Sequence, residues 1–557
     1  MDTSPDGLIR RNQRLREEAA GMVALWNECG NMCVTRKVQA LNYGVNRQDT
    51  AIGTGYTPDL RVMNTVASES NSVLAAGCVS WITPADSPWF TWKPPFQLEG
   101  SDSVTTWLHR CAEIAQYWLQ ASNFYSKIHE VFLDRSCFGT ACLWAEGGME
   151  SPIFFRSFDV GSFCLAENSE GRVNSVFREL EYTADQAMEA FPVVPEIVRN
   201  DYERNPAKRH RFLHAVYERD EKERGGPGGP SRMRFASCYL HEASKTKCKE
   251  EGYEANPAFG TRYLRWSEAS VYGASPAMQA LAEIRGVNYL EMLVSTMAEV
   301  TVNPRIIMPQ SMQGVPDLRA GGLTMGGISR DTHPQEWLTG GRIDFGLELI
   351  KRKEEMIREI FHRSLFDQFA LLDRQITATE VRAREAEKLA RFSPAFTLLV
   401  TEIINPVLER VFMLLFRAGK FPAPPQEALV RNSMGEMVMM FPQAVQTSRM
   451  ALALQALKKA AFGSMLELWM PYITAMQSAA VMDNLDEDAA FRDLTRGDGM
   501  PSMYLRDSEA VAAYRAARAQ AQQAAEQAAQ QQEMMQQAMK SQPIAEAGVE
   551  AVQKLAA

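Results

Sequence analysis

Residues 276–300 read PAMQALAEIRGVNYLEMLVSTMAEV, and how this stretch is read decides the rest. Leu281, Ile284, Leu290, Leu293, Val294 and Met297 recur at three- and four-residue steps, which places them on one side of a helix. At 1.5 Å per residue that helix is about 37 Å long. Residues 344–366 read as a second helix of about the same length. Its stripe is Phe345, Leu349, Ile350, Met356, Ile357, Ile360 and Phe361, and its other face is charged. Between the two lies 303–342, with Gly321, Gly322, Gly326, Gly327, Gly340 and Gly341 and with Pro304, Pro309, Pro316 and Pro334. Such density of Gly and Pro interrupts regular structure. Two matched helices flanking a non-helical insert predict a stalk with a small tip.

Towards the C-terminus, residues 374–394 read RQITATEVRAREAEKLARFSP. Thr377 with Glu380 three residues later is a capping box, in which hydroxyl and carboxylate each take one free backbone N–H. The helix it starts is expected to run to about Ala418, with kinks at Pro394 and Pro406, because each proline removes a ladder hydrogen bond. Gly419 and Pro422 stop it. So sharp a start comes directly after the mostly apolar turn FDQFALLDRQ (366–375). A short strand is expected at 436–441, followed by mostly helix. The stretch 508–540 is rich in Ala and Gln, with high helix propensity but little large apolar surface. It reads either as a frayed tail or as a helix that is stable only beside copies of itself.

Towards the N-terminus the texture is mixed. Residues 7–33 have helical spacing. WITPADSPWFTWKPPF (81–96) suits an extended segment packed by aromatics. One long helix is expected over 103–131, and strands from about Cys137 to Tyr182, with a hairpin turn at Asn168–Gly171. HRFLHAVYERDEK and MRFASCYLHEAS read as further strands. The fold class is therefore α+β and mostly helical.

The bulk numbers narrow the function. Net charge is −9 over 557 residues, against a clamp that grips duplex DNA by its phosphates. Nine cysteines are scattered without a Cys-x-x-Cys pair, so buried free thiols are expected and a metal site is not. The first twenty residues carry no apolar core of a secretory signal, and no run is long and apolar enough for a membrane span. No phosphate-binding Gly-rich loop ending in Gly-Lys-Ser/Thr and no Gly-x-Ser-x-Gly elbow is present. His129-Glu130 and His241-Glu242 lack the second histidine of a zinc helix. His210 and His214 lie in a strand-like stretch and read as structural. Asp486, Glu487, Asp488 and Asp493 are the one acidic cluster that a metal-dependent nuclease would use; an acidic helix N-terminus explains them as well. No enzyme, cofactor or metal is expected.

Four segments in order resemble one family: WITPADSPWF, EGYEANPAFGTRYLRWSEASVYGASPAMQAL, QITATEVRAREAEKL and INPVLERVFMLLFRAGKFP. Together they cover most of residues 5–515, and they resemble the portal, or head-to-tail connector, proteins of short-tailed bacteriophages. The Ala/Gln-rich tail lies outside the pattern. The resemblance implies a portal-type fold, assembled as a ring of usually twelve copies at one capsid vertex of the virion after assembly in the host cytoplasm. It implies a wing over 1–275, a stem helix over 276–302, a clip over 303–342 and a second stem helix over 343–366. A tunnel loop over 367–376, a kinked wing helix and strand over 377–440 and a crown or tail over 441–557 follow. Asp367, Gln368, Arg374 and Gln375 would then face passing double-stranded DNA, with Thr377 and Glu380 capping the helix beside them. In the clip, Arg319, Arg330, Trp337 and Arg342 become candidates for docking a terminase large subunit and then head–tail adaptor and tail proteins. Major capsid and scaffold proteins are further implied partners, and no membrane is. The alternatives are a non-ring minor capsid or scaffold protein and a metal-dependent nucleic-acid enzyme.

Overall fold

The computed structural model describes residues 2–34, 62–95, 101–148, 151–220, 229–267, 270–302, 305–307, 335–337, 343–369, 391–431, 437–439, 441–448 and 508–555, with a few isolated positions between them. Helix α1 (Pro5–Cys33) starts where the Ser4 hydroxyl accepts the Gly7 N–H at 3.1 Å, with Pro5 in the first turn. It buries Leu8, Leu15, Trp26 and Cys29, and Trp26 Nε1 donates to the Phe138 carbonyl at 3.0 Å. Helix α2 (Val66–Ile82) follows. Trp81 and Ile82 of the aromatic-proline segment close α2, and the extended stretch expected there follows them. Trp89, Phe90 and Trp92 are buried there, and Phe90–Lys93 forms strand β1.

The single helix expected over 103–131 is two helices, α3 (Asp102–Ala121) and α4 (Phe124–Phe138). The break has a side-chain cause. Ser122 Oγ donates to Leu119 O at 2.9 Å and accepts the Phe124 N–H at 3.2 Å. Asn123 donates to Phe155 O at 2.8 Å and accepts the Phe155 N–H at 3.0 Å, so its amide acts as a strand neighbour. Helix α4 also runs on through Cys137, where a strand was expected, and stops at Gly139 in the left-handed region (φ 74°). A Cβ on Gly139 would stand 2.1 Å from the Gly273 carbonyl oxygen, so two backbones touch there and only glycine fits.

Strands β2 (Thr140–Glu146), β3 (Phe154–Phe158), β4 (Phe163–Glu167) and β5 (Val173–Thr183) come next. The β4–β5 hairpin turns where expected. Asn168 Oδ1 accepts the N–H groups of Glu170 and Arg172, and Gly171 is left-handed. Thr183 and Gln186 form a capping box that opens α5 (Ala184–Ala190), and α6 (Glu196–Arg204) follows. Strands β6 (Arg209–Glu218), β7 (Phe235–His241) and β8 (Thr246–Tyr253) complete a five-stranded antiparallel sheet in the order β4-β5-β6-β7-β8. Strand β9 (Ala258–Arg262) joins β2 and β3 in a second sheet of order β3-β2-β9. His210 and His214 are buried on β6, which agrees with their structural reading.

After the short pair β10 (Leu264–Arg265) and β11 (Gly273–Ala274) comes α7 (Pro276–Val302). Short strands β12 (Arg305–Ile307) and β13 (Gln335–Trp337) pair antiparallel, followed by α8 (Ile343–Ile360) and α9 (Arg363–Phe369). The described residues 391–399 form helix α10, and Val400–Ile404 is one π-helical turn that leads into α11 (Asn405–Arg417). The kink expected at Pro406 therefore takes this form. Pro406 has no N–H for the Glu402 carbonyl, and the Asn405 N–H reaches back to Val400 O instead. Strands β14 (Leu429–Arg431) and β15 (Met437–Met439) pair with each other, and β16 (Gln443–Gln446) pairs with β1. Helix α12 (Ser508–Leu555) spans the Ala/Gln-rich tail, and its described side chains are almost all exposed.

Candidate functional site

Helices α7 and α8 form an antiparallel hairpin. A Cβ on Gly346 would meet Val294 Cγ2 at 2.7 Å, and one on Gly286 would meet Lys353 Nζ at 3.0 Å, so small residues set the close approach. Lys353 Nζ reaches Glu283 Oε2 at 2.7 Å across the pair. The core end is clamped by asparagines. Asn288 Oδ1 accepts the N–H groups of Met63 and Asn64 at 2.7 and 2.9 Å, while Asn64 Nδ2 donates to Glu291 and Glu354 at 3.1 and 2.8 Å. At the other end the β12–β13 ladder, Arg305 opposite Trp337, brings together the two ends of the 308–334 insert. Trp337 thus sits in that ladder. Arg319, Arg330 and Arg342 lie outside the described residues.

The expected second helix, 344–366, is interrupted. Helix α8 stops at Ile360 and His362 adopts φ 53°. Burial and the nearby Arg391 hold the His362 imidazole below its usual pKa. Helix α9 then carries the chain to Phe369, so Asp367 and Gln368, expected in a loop, are helical. Arg363 pairs with Glu69 of α2 at 3.1 Å. Arg374, Gln375, Thr377 and Glu380 fall outside the described residues, as does the helix start expected there.

A buried ionic network holds the described bent helix, residues 391–417. Arg262 is 2% exposed. Its Nε and Nη2 donate to Glu402 Oε1 at 2.8 and 2.6 Å, Nη1 to Glu167 Oε2 at 2.9 Å and Nη2 to the Gly171 carbonyl at 2.9 Å. The Arg262 backbone N–H adds a bond to Glu402 Oε2 at 2.7 Å. Glu402 stands in the π turn, Glu167 on β4 and Arg262 on β9, so one guanidinium ties both sheets to the bent helix. Arg135 lies next to it. It donates to Arg262 O at 3.1 Å and to Ala395 O at 2.6 Å, and burial holds its pKa below the usual arginine value. Sequence reasoning missed this network, because Glu167, Arg262 and Glu402 lie far apart in the chain. Its one signal was a carboxylate among apolar residues one turn before Pro406.

Of the acidic cluster, Asp488 is the described member. Asp488 is held by Arg515 of α12 through two bonds, at 2.6 and 2.7 Å, and Asp486, Glu487 and Asp493 lie outside the described residues. Among the described residues no group of three or more His, Cys, Asp or Glu side chains is placed to hold a metal ion. All nine cysteines are free and buried, and burial pushes Cys78 and Cys111 up to about 12, far from a nucleophile. No described helix is long and apolar enough to cross a membrane. What this geometry supports is rigid presentation: a hairpin with an insert at one end, and at the other a helix locked to two sheets.

The comparisons agree with that reading. The family described as bacteriophage head to tail connecting protein matches residues 6–505. The chain is 27% identical over 463 residues to a probable portal protein of Bordetella phage BPP-1, covering 78% of this chain and 79% of that one. It is 21% identical over 531 residues to the portal protein of Salmonella phage epsilon15, covering 94% and 92%. With a match that takes in both sheets, the helical hairpin and the bent helix, the chain belongs to the bacteriophage head-to-tail connecting proteins, the portal proteins of the phage virion.

Proposed function

We propose that the chain assembles into a ring at one vertex of the capsid, through which double-stranded DNA is packaged and later leaves. The ring catalyses nothing; a separate terminase drives the DNA. In this reading α7 and α8 are the stem and 303–342 is the clip. There Arg319, Arg330, Trp337 and Arg342 meet the terminase large subunit first and the tail adaptor afterwards. The end of α9 and the loop beyond it face the channel, with Asp367 and Gln368 of α9 and Arg374 and Gln375 of the loop nearest the duplex and Thr377 and Glu380 capping the helix that holds it. Helix α12 forms a crown in which copies supply the partners that one exposed helix lacks. A net charge of −9 suits a conduit, since basic walls would hold phosphates rather than let them pass.

The observation that carries the proposal is the family match over residues 6–505, which takes in the hairpin, its insert and the bent helix. The test is packaging in vitro. Proheads assembled with Arg374→Glu/Gln375→Glu should protect less DNA from nuclease than parental proheads, while ring number per prohead stays the same. Equal protection would remove these residues from the channel.

A further inference from the structure

Where the two sheets meet, hydrogen-bond donors gather without an acceptor. Arg178 of β5, His214 of β6 and Tyr239 of β7 stand opposite one another in register, so their side chains rise from one face of the five-stranded sheet. Tyr182 lies further along β5 on the same face. Strand β3 of the other sheet meets that face. The Arg178 guanidinium stacks 4.2 Å from the centre of the Phe158 ring, and Arg156 shares the strand face of Phe158.

Every N–H donor of Arg178 is unused. It makes no hydrogen bond or ion pair among the described residues, and its Nε is sealed from water without a partner. The groups that act on it most strongly are Tyr182, Tyr239, the Cys142 thiol and Arg156, and none of them is a carboxylate. The Tyr182 and Tyr239 hydroxyls likewise make no hydrogen bond among the described residues. Two carboxylates reach Tyr239, and both are engaged: Glu146 by Arg156 at 3.4 Å, and Glu251 by Lys249 at 2.7 Å and by the Tyr253 hydroxyl at 2.9 Å. His214 is buried and bonded to Ser237. Two neighbouring guanidiniums therefore repel each other, with one long carboxylate contact to offset them.

We propose that Arg178, Arg156, Tyr182 and Tyr239 form a binding site for a phosphate group, either free phosphate or the terminal group of a phosphomonoester. The count of oxygens selects this ligand. A guanidinium fork takes two oxygens. That alone saturates a carboxylate or the two unesterified oxygens of a phosphodiester, and leaves the phenols and Arg156 idle. Free phosphate and a monoester offer at least one oxygen more. Bound there, the ligand joins β3 of one sheet to β5 and β7 of the other and cancels the repulsion between the two guanidiniums. The site is independent of the ring reading, because all four side chains lie on the sheets.

The experiment uses the full-length chain in phosphate-free buffer. Thermal melting is followed against rising inorganic phosphate, with sodium chloride of equal ionic strength as reference. The melting midpoint should climb with phosphate and not with chloride, because a ligand that binds the folded chain alone stabilises it by mass action. Calorimetric titration should give one site per chain. Arg178→Met keeps an apolar stem on Phe158 without the donors and should abolish both signals. Tyr239→Phe keeps the ring and removes the hydroxyl, so affinity should fall about tenfold with an unchanged circular dichroism spectrum. A nucleoside monophosphate should compete for the site; tighter binding than phosphate would identify an ester as the occupant, and weaker binding free phosphate. A dinucleoside phosphate, whose phosphate is a diester, should not compete; competition equal to the monophosphate's would overturn the assignment. Displacement by polyglutamate would overturn it too and mark a docking point for an acidic peptide. Phosphate that acts no better than chloride, or a shift that survives in both variants, would remove the site.

Discussion

Replacing Glu402 by Gln tests the lock beneath the bent helix. The change keeps the shape and removes the charge that faces Arg262 through three of its nitrogens. Arg262 is nearly sealed from water, so solvent screening relieves little of the loss. Breaking a buried pair from one side costs about 3–5 kcal/mol. Glu167 remains at 2.9 Å as a second counter-charge, which places the expected cost near the lower end, about 3 kcal/mol. The assay is urea unfolding followed by tryptophan fluorescence at fixed chain concentration, because assembly and stability are linked. Glu170→Gln is the control. Its carboxylate is mostly exposed and 3.7 Å from Arg172, so it should change stability by less than about 0.5 kcal/mol. Arg262→Met/Glu402→Gln should cost less than the two single changes summed, as expected for residues in one network. A Glu402→Gln cost under about 1 kcal/mol would refute the claim that this pair fixes the bend.

Four further outcomes follow from the same geometry. His214 is buried against Tyr239 with its ring bonded to Ser237, and burial first, then Arg178, Lys249 and Arg156, push it down to about 3. The unfolded chain takes that proton near 6.5, so stability is full above that pH and falls by about 1.4 kcal/mol per unit down to about 3. His214→Gln should flatten the slope seen in acid denaturation, leaving the parts from His210, His241 and His362, which burial shifts the same way. Gly139→Ala should abolish soluble expression through its clash with Gly273, whereas Gly419→Ala, left-handed but in open space, should cost only about 1 kcal/mol by thermal melting. A thiol reagent should label essentially no cysteine in the native protein and all nine after denaturation. Deleting 508–557 should leave the unfolding transition of the remaining body unchanged, because nearly all described α12 side chains face water.

Much of the fold was legible because local chemistry agreed with it. The α7 periodicity, the Asn168–Gly171 turn and the aromatic-proline strand each follow from residues close in sequence. What failed to show depends on distant partners. Nothing near Asn123 says that its amide will serve Phe155, so the break between α3 and α4 stayed hidden. Leu293 and Phe345 counted towards the core stripes, yet both face outward, because periodicity marks an apolar face without saying which molecule covers it. Asp367 and Gln368 lay one and two residues past the expected helix end at 366, and the short helix after the bend at His362 takes them in. Of the candidate site, Trp337, Asp367 and Gln368 have a described backbone. Arg319, Arg330, Arg342, Arg374, Gln375, Thr377 and Glu380 lie outside the described residues, and their roles stand as proposals.

The central claim is a closed ring around a DNA-sized hole. Electron microscopy of the purified full-length chain, with symmetry counted in end-on views, tests it most directly. The account predicts rings of one symmetry, twelvefold by family resemblance, with a central opening wide enough for duplex DNA. Compact single particles at high concentration, or rings too narrow to admit a duplex, would contradict it.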